Sequence, residues 1–158
     1  MKKILVMSDT HGYKGRIQSA LLKYGEDADI IVHLGDYVSD AEYLKTITNK
    51  KVYSLKGNCD ITSAARQEIL IRTGGKKILA LHGHKQNVKS GIHELGAYAA
   101  EKGADLALFG HTHIPLEEYY GDVLLYNPGS LGEPKGRKPT VGIVTIDDGK
   151  ITIASMTV

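Results

Sequence analysis

Asp9, His11, Asp36, Asn58, His82, His111 and His113 are the side chains of this sequence whose types and spacing could do chemistry. Each offers a hard oxygen or an imidazole nitrogen, a donor set suited to Mn, Fe, Ni, Zn or Mg and not to soft metals. Cys59 is the only cysteine, so neither an internal disulfide nor a thiolate metal cluster can form. Seven donors exceed one ion's need when solvent positions stay open. They suit two ions, particularly if one carboxylate bridges the pair. Asp36 is the expected bridge, because it follows the most apolar run, Ile30-Ile31-Val32-His33-Leu34-Gly35, which is expected at the centre of a sheet. Asp9-Thr10-His11 and His111-Thr112-His113 carry donors at i and i+2, and past a strand end such pairs can point the same way.

What must position these donors is a set of short apolar runs, each ending on one of them. Ile4 to Ser8 ends on Asp9, Ile30 to Leu34 on Gly35-Asp36, and Val52 to Leu55 runs into Gly57-Asn58. Ile78 to Leu81 ends on His82, and Leu106 to Phe109 on Gly110-His111-Thr112-His113. Runs this short and this apolar are expected as buried strands, and ligands bind at the carboxyl ends of strands in open α/β sheets. A single Asp or His at a strand end is ordinary turn chemistry, but independent turns give no reason for four imidazoles there.

The first strand (Lys3 to Ser8) leads to a helix over Lys14 to Tyr24, with Ile17, Leu21 and Leu22 as its apolar stripe and Gly25 as its stop. The strand Ile30 to Leu34 is followed by Ser39, a candidate N-cap for a helix over Ala41 to Thr48, and then by the strand Val52 to Leu55. This β-α-β-α-β start predicts parallel strands. Glu68 to Arg72 and Lys77 to Leu81 flank Thr73-Gly74-Gly75-Lys76 and predict an antiparallel hairpin. Ser90 is a candidate cap for a helix over Ile92 to Glu101 with Leu95, Tyr98 and Ala99 on its buried side. After the strand Asp105 to Phe109 come Leu116 to Tyr120, Val123 to Tyr126, Thr140 to Ile146 and Ile151 to Met156, a closing meander. The fold class is α/β with mixed sheets: two packed sheets covered by helices on their outer faces, in one domain over 1–158.

Composition bounds the function. The 158 residues suffice for a real hydrophobic core, and 20 Lys+Arg against 18 Asp+Glu leave a formal charge of +2 with no basic arm for nucleic acid. No apolar run approaches a signal or membrane-spanning segment, which predicts a cytoplasmic protein. A homo-oligomer is compatible with all of this. Among the remaining candidates, His33 is expected as a satisfied core histidine or a support for a neighbouring ligand, and His93 as solvated. His84 either alternates with His82 as a ligand or meets the substrate, with His82 preferred because it directly ends its apolar run. Tyr119, Tyr120 and Tyr126 are expected to pack on sheet faces, and Lys135, Arg137 and Lys138 to form a solvated loop.

These motifs together resemble the calcineurin-like metallophosphoesterases, and more narrowly their small single-domain bacterial and archaeal phosphodiesterases. Asp9-Thr10-His11-Gly12, Leu34-Gly35-Asp36, Gly57-Asn58, His82-Gly83 and Gly110-His111-Thr112-His113 are similar to that family's five motifs in order, and Asn127-Pro128-Gly129-Ser130 to a loop its members carry. The resemblance implies a four-layer α-β-β-α sandwich and a dinuclear centre. One metal would be held by Asp9, His11, Asp36 and His113, and the other by Asp36, Asn58, His82 and His111. It implies Mn²⁺ or Ni²⁺ first, with Fe, Zn or Mg as alternatives, and in-line attack of a metal-bridging hydroxide on a small phosphodiester. Asp36, Asn58 and His82 would sit at the reacting centre, with Cys59, Asp60 and His84 around the substrate. Many relatives place a histidine, their usual general acid, where this chain has Cys59; the small phosphodiesterase branch is similar in carrying cysteine. The alternatives are a phosphomonoesterase of the same fold and a non-catalytic scaffold resembling the retromer subunit.

Overall fold

Side-chain alternation sets the layers. In the computed structural model, which describes residues 1–158, β1 (Lys2–Met7) turns Ile4 and Val6 to one side and Leu5 and Met7 to the other, and all four are fully buried. A strand apolar on both faces must be covered on both faces. Ile4 and Val6 join a core cluster that also takes Val32, Leu34, Ile78, Leu106, Leu108, Leu124 and Val144, the facing sides of two sheets. Leu5 and Met7 meet Ile17, Ala20 and Leu44 from α1 (Lys14–Tyr24) and α2 (Val38–Ile47). On the far side of the second sheet, Leu79, Ala107 and Leu125 meet Leu95 and Ala99 of α3 (His93–Glu101). The layers are therefore helices, sheet, sheet, helix.

The first sheet runs in the order β10-β9-β1-β2-β3, with β2 at Ile30–His33, β3 at Lys51–Ser54, β9 at Thr140–Asp147 and β10 at Lys150–Thr157. The second runs β4-β5-β6-β8-β7, with β4 at Glu68–Thr73, β5 at Lys76–Leu81, β6 at Leu106–Leu108, β7 at Leu116–Tyr120 and β8 at Val123–Asn127. β1, β2 and β3 are parallel, in the register Val6 to Val32 to Tyr53, and so are β5, β6 and β8. Both parallel cores deliver their carboxyl ends to one site.

Several expectations need correction. β1, and not the more apolar β2, is the central strand; β2 lies between β1 and β3. The last third is not one meander: β7-β8 is a hairpin of the second sheet and β9-β10 a hairpin of the first. Leu22 is 85% exposed, because on a helix it stands about 140° round the axis from Ile17; Ala20 is buried with Ile17 instead. Ser39 lies inside α2 and caps nothing. The helix starts at Val38, whose N–H donates to Asp60 Oδ1 at 2.8 Å, so the cap comes from a separate loop. Ser90 likewise falls in a short 3-10 turn, and α3 begins at His93 without a side-chain cap.

Candidate metal centre

Loop backbone at the strand ends is held by bonds that cross between the sheets. Gly110 N donates to His82 O at 2.9 Å and Leu131 N to Ser8 O at 3.1 Å, while His111 N donates to Asp9 Oδ2 at 3.0 Å. Asp9, His11, Asp36, His111 and His113 all take positive φ, between 46° and 69°. Non-glycine residues seldom adopt that conformation, and where several do so together the surrounding structure is holding strain at a functional site. The same kinks turn each i, i+2 pair inward. Glycine is needed where the loops touch: a Cβ on Gly57 would collide with Asp36 Oδ1, and one on Gly110 with the Ser8 hydroxyl.

Asp9, His11, Asp36 and His113 place one donor atom each within 4.8 Å of one another. Asp9 Oδ1 is 3.2 Å from His113 Nε2, and Asp36 Oδ2 is 3.8 Å from His11 Nε2. Asp9 Oδ1 and His11 Nε2 are buried with no hydrogen-bond partner. On the other side of Asp36, His82 Nε2 lies 3.0 Å from Asn58 Oδ1, 3.5 Å from Asp36 Oδ1 and 3.8 Å from Asp9 Oδ1. His82 Nδ1–H donates to Leu34 O at 2.9 Å and His113 Nδ1–H to Glu133 O at 2.7 Å, which leaves both Nε2 lone pairs facing the cluster. His111 joins through its ring, 5.0 Å from that of His82. Burial, with help from His82 and Lys89, brings His111 down to about 4, so its imidazole is neutral at pH 7. Burial alone would raise Asp9, but contacts with His113, His82 and Ser8 outweigh it and hold the carboxyl at about 2. Buried acceptors thus face acceptors across a small space, which costs free energy unless a cation lies between them. The donor set fits divalent ions.

The other predicted residues divide. His84 sits beside the centre, its ring 5.5 Å from His82 and 6.1 Å from His111, with Nδ1 buried and unpartnered. Cys59 is exposed, and its N–H donates to Asp36 Oδ1 at 3.0 Å. Asp60 is occupied by backbone: Oδ1 takes Val38 N–H and Oδ2 takes Gly57 N–H at 2.9 Å. His33 is fully buried, Tyr126 is fully buried and Tyr119 is 66% exposed.

Sequence reasoning missed Asp40. It stands in the first turn of α2, where an acidic residue suggests a solvated helix start, yet it is 1% exposed. Its Oδ2 accepts from the Thr10 hydroxyl at 2.6 Å and from Gly12 N–H at 2.8 Å. Thr10 Oγ1 in turn lies 2.9 Å from His33 Nε2, and Gly35 N–H donates to His33 Nδ1 at 3.3 Å, so the ring proton is on Nε2. Burial brings His33 down to about 4 and keeps it neutral in this chain. Asp40 therefore ties the Asp9-Thr10-His11 loop to α2. Asp40→Ala leaves a buried hydroxyl and a backbone N–H without their acceptor, at about 1–3 kcal/mol each. We expect about 2–4 kcal/mol lower stability, read from the urea midpoint at constant m, with Asp40→Asn recovering part of it. Ser130 and Asn127 also support the loops: Ser130 Oγ donates to Asp9 O at 2.8 Å, and Asn127 Nδ2 donates to Gly110 O at 3.0 Å.

Two mixed sheets packed between helices, gathering Asp, His and Asn at the carboxyl ends of both sheets, have the build of a metallohydrolase. A family model of the calcineurin-like phosphoesterase superfamily domain matches residues 1–149, and the chain belongs to that superfamily. It is 30% identical over 151 residues to a probable metallophosphoesterase of Bacillus subtilis, YsnB, covering 95% of this chain and 88% of the relative. It is 28% identical over 165 residues to the Escherichia coli phosphodiesterase YfcE, covering 88% and 84%. A predicted phosphoesterase of Streptococcus pneumoniae superimposes with a TM-score of 0.85 at 29% identity, covering 99% of this chain and 89% of that one. Vacuolar protein sorting 29 of Cryptosporidium parvum shares the fold, with a TM-score of 0.75 at 19% identity over 98% of this chain and 96% of that one.

Proposed function

We propose that the chain is a dinuclear metal-dependent phosphodiesterase acting as a single unit over 1–158. Asp9, His11, Asp36 and His113 would hold one ion and Asp36, Asn58, His82 and His111 the other. The observation that carries this is the two-sided environment of Asp36, whose Oδ2 faces His11 at 3.8 Å while Oδ1 faces His82 at 3.5 Å. A carboxylate with imidazole acceptors on both sides is placed to bridge two cations. When bound, such ions lower the pKa of water from 15.7 toward ~7 and stabilise charge on phosphoryl oxygens. The residues supply the rest. Leu34 O and Glu133 O fix the tautomers of His82 and His113, and the Cys59 N–H steadies Asp36. Burial first, and then Asp36, pushes the Cys59 thiol up to about 11, so it stays protonated at neutral pH and gives up its proton reluctantly. That favours substrates whose leaving group departs without a strong acid.

A diester also brings one less negative charge than a monoester into a centre with no imidazole acid. The expected result is hydrolysis of an aryl phosphodiester ahead of the matching monoester by about tenfold, or ~1.4 kcal/mol of barrier. Mn²⁺ or Ni²⁺ should serve better than Mg²⁺, because imidazole-rich sites favour the later divalent ions. Metal analysis of the purified protein followed by paired assays on the two esters checks it, and a clear monoester preference would move the assignment to a phosphomonoesterase. The shared fold of vacuolar protein sorting 29 raises a scaffold role as the competing class. The buried, unpartnered donors Asp9 Oδ1 and His11 Nε2 favour the enzyme, since a surface for protein contacts has no use for them. A cytoplasmic setting goes with this reading, in which the exposed Cys59 remains a free thiol.

A further inference from the structure

Thr112 separates His111 from His113, and on its outer side a groove of about 600 Å³ opens between the 88–92 turn and β7. That volume is in the range of small-molecule sites. The groove follows Thr112, Ile114, Leu116 and Glu118, alternate residues that rise about 3.3 Å each and so span roughly 20 Å. Its walls are apolar: Ile114 and Leu116 on one side, Ile92 and Phe109 on the other, with Ile114 43% exposed. The charged groups are at the ends. Lys89 and Lys135 stand at the Thr112 end, where their positive charges bear on His111 and His113 respectively, and neither is in an ion pair. Glu118, exposed, stands at the other end.

We infer that this groove seats the organic arm of the substrate, and that the arm is an uncharged, elongated apolar group on the phosphodiester. Charge complementarity fixes the direction. A phosphate at the strand-end cluster is within the field of the two lysines, an apolar chain is then taken out of water along Ile92, Ile114 and Leu116, and a second anion on its far end meets Glu118. The inference rests on the strand-end cluster being the phosphoester centre.

The test uses the full metal-loaded chain and a series of non-hydrolysable probes, methyl-, butyl- and hexylphosphonate, with dissociation constants from calorimetry. A fully buried methylene is worth about fourfold in affinity, so even half burial predicts well over tenfold between the methyl and hexyl probes. Ile114→Asp, at a half-exposed position the fold tolerates, should flatten that dependence. A hexyl chain ending in a carboxylate should bind more weakly than hexylphosphonate, and Glu118→Lys should close the gap. Equal affinity for every length, no binding by any of them, or a length dependence that Ile114→Asp leaves untouched overturns the groove assignment. Because binding is read without turnover, a flat series alongside diester hydrolysis rejects the groove alone. A steep series without hydrolysis rejects the phosphodiesterase reading alone.

Discussion

Asp36→Asn should lose most of both metal ions and lower kcat/KM on a phosphodiester by at least about 10³-fold. The size follows from what one residue is asked to do. Loss of a group that merely orients a ligand typically costs 10–100-fold in metal affinity or activity, and Asp36 is the donor proposed for both ions. The substitution is also clean. Asparagine keeps the shape, and its amide oxygen can still accept the Cys59 N–H that Asp36 Oδ1 takes at 3.0 Å. Its NH₂ then replaces Oδ2 opposite His11 Nε2, giving that unpartnered nitrogen a donor where a cation belonged. The folded state should therefore survive, and a thermal midpoint near wild type would confirm that activity was lost at the site. Asp9→Asn is the control, since its Oδ1 lies nearest His113 and it is assigned to one ion. It should release about one ion per chain where Asp36→Asn releases nearly two. Metal content unchanged in Asp36→Asn would count against a bridging role.

How much of this was legible before the coordinates depended on the range of the physics. The strands were legible because two-sided burial writes itself as runs such as Ile30 to Val32 and Ile78 to Leu81, and every predicted donor does stand at the end of one. The turn at Gly74-Gly75, with φ of 57° and 76°, was legible for the same local reason. Choices made over long distances were not. Nothing in Val141 or Leu124 says which sheet its hairpin will join, so a single meander was expected where the chain closes both sheets in turn. Left-handed backbone at Asp9, His11 and His113 leaves no trace either, because the residue types are dictated by the donors they carry and glycine is not an option. Asp40 was hidden by ambiguity. A carboxylate in a first helical turn has the same appearance whether it faces water or, as here, the Thr10 hydroxyl and Gly12 N–H.

Cys59→His is expected to raise kcat/KM for diesters with poor, high-pKa leaving groups by roughly ten- to a hundredfold, and to change those with good leaving groups little. General acid catalysis is typically worth 10²–10⁴-fold, and an introduced acid in an unrefined position should recover the lower part of that range. The wild-type thiol is a weak candidate for the task because burial and the carboxylates of Asp36, Asp60 and Asp9 push it up to about 11. Room for the larger ring is available, since Cys59 is exposed and Asn58, next to it, is the only side chain its sulfur contacts, at 3.7 Å. Its backbone contact to Asp36 is made by the N–H and survives the exchange. Orientation is the limiting factor. Asp60, the neighbour that could have held the new imidazole, already spends both oxygens on Val38 and Gly57, so the ring must find its position without it. Only substrates that need a proton in the transition state register the gain, which makes the dependence on leaving-group pKa the decisive measurement. A shallower slope for the variant than for wild type supports proton delivery as the missing element. Parallel lines, with every substrate slowed alike, would mean that this corner is shaped around Cys59 for the substrate and not waiting for an acid.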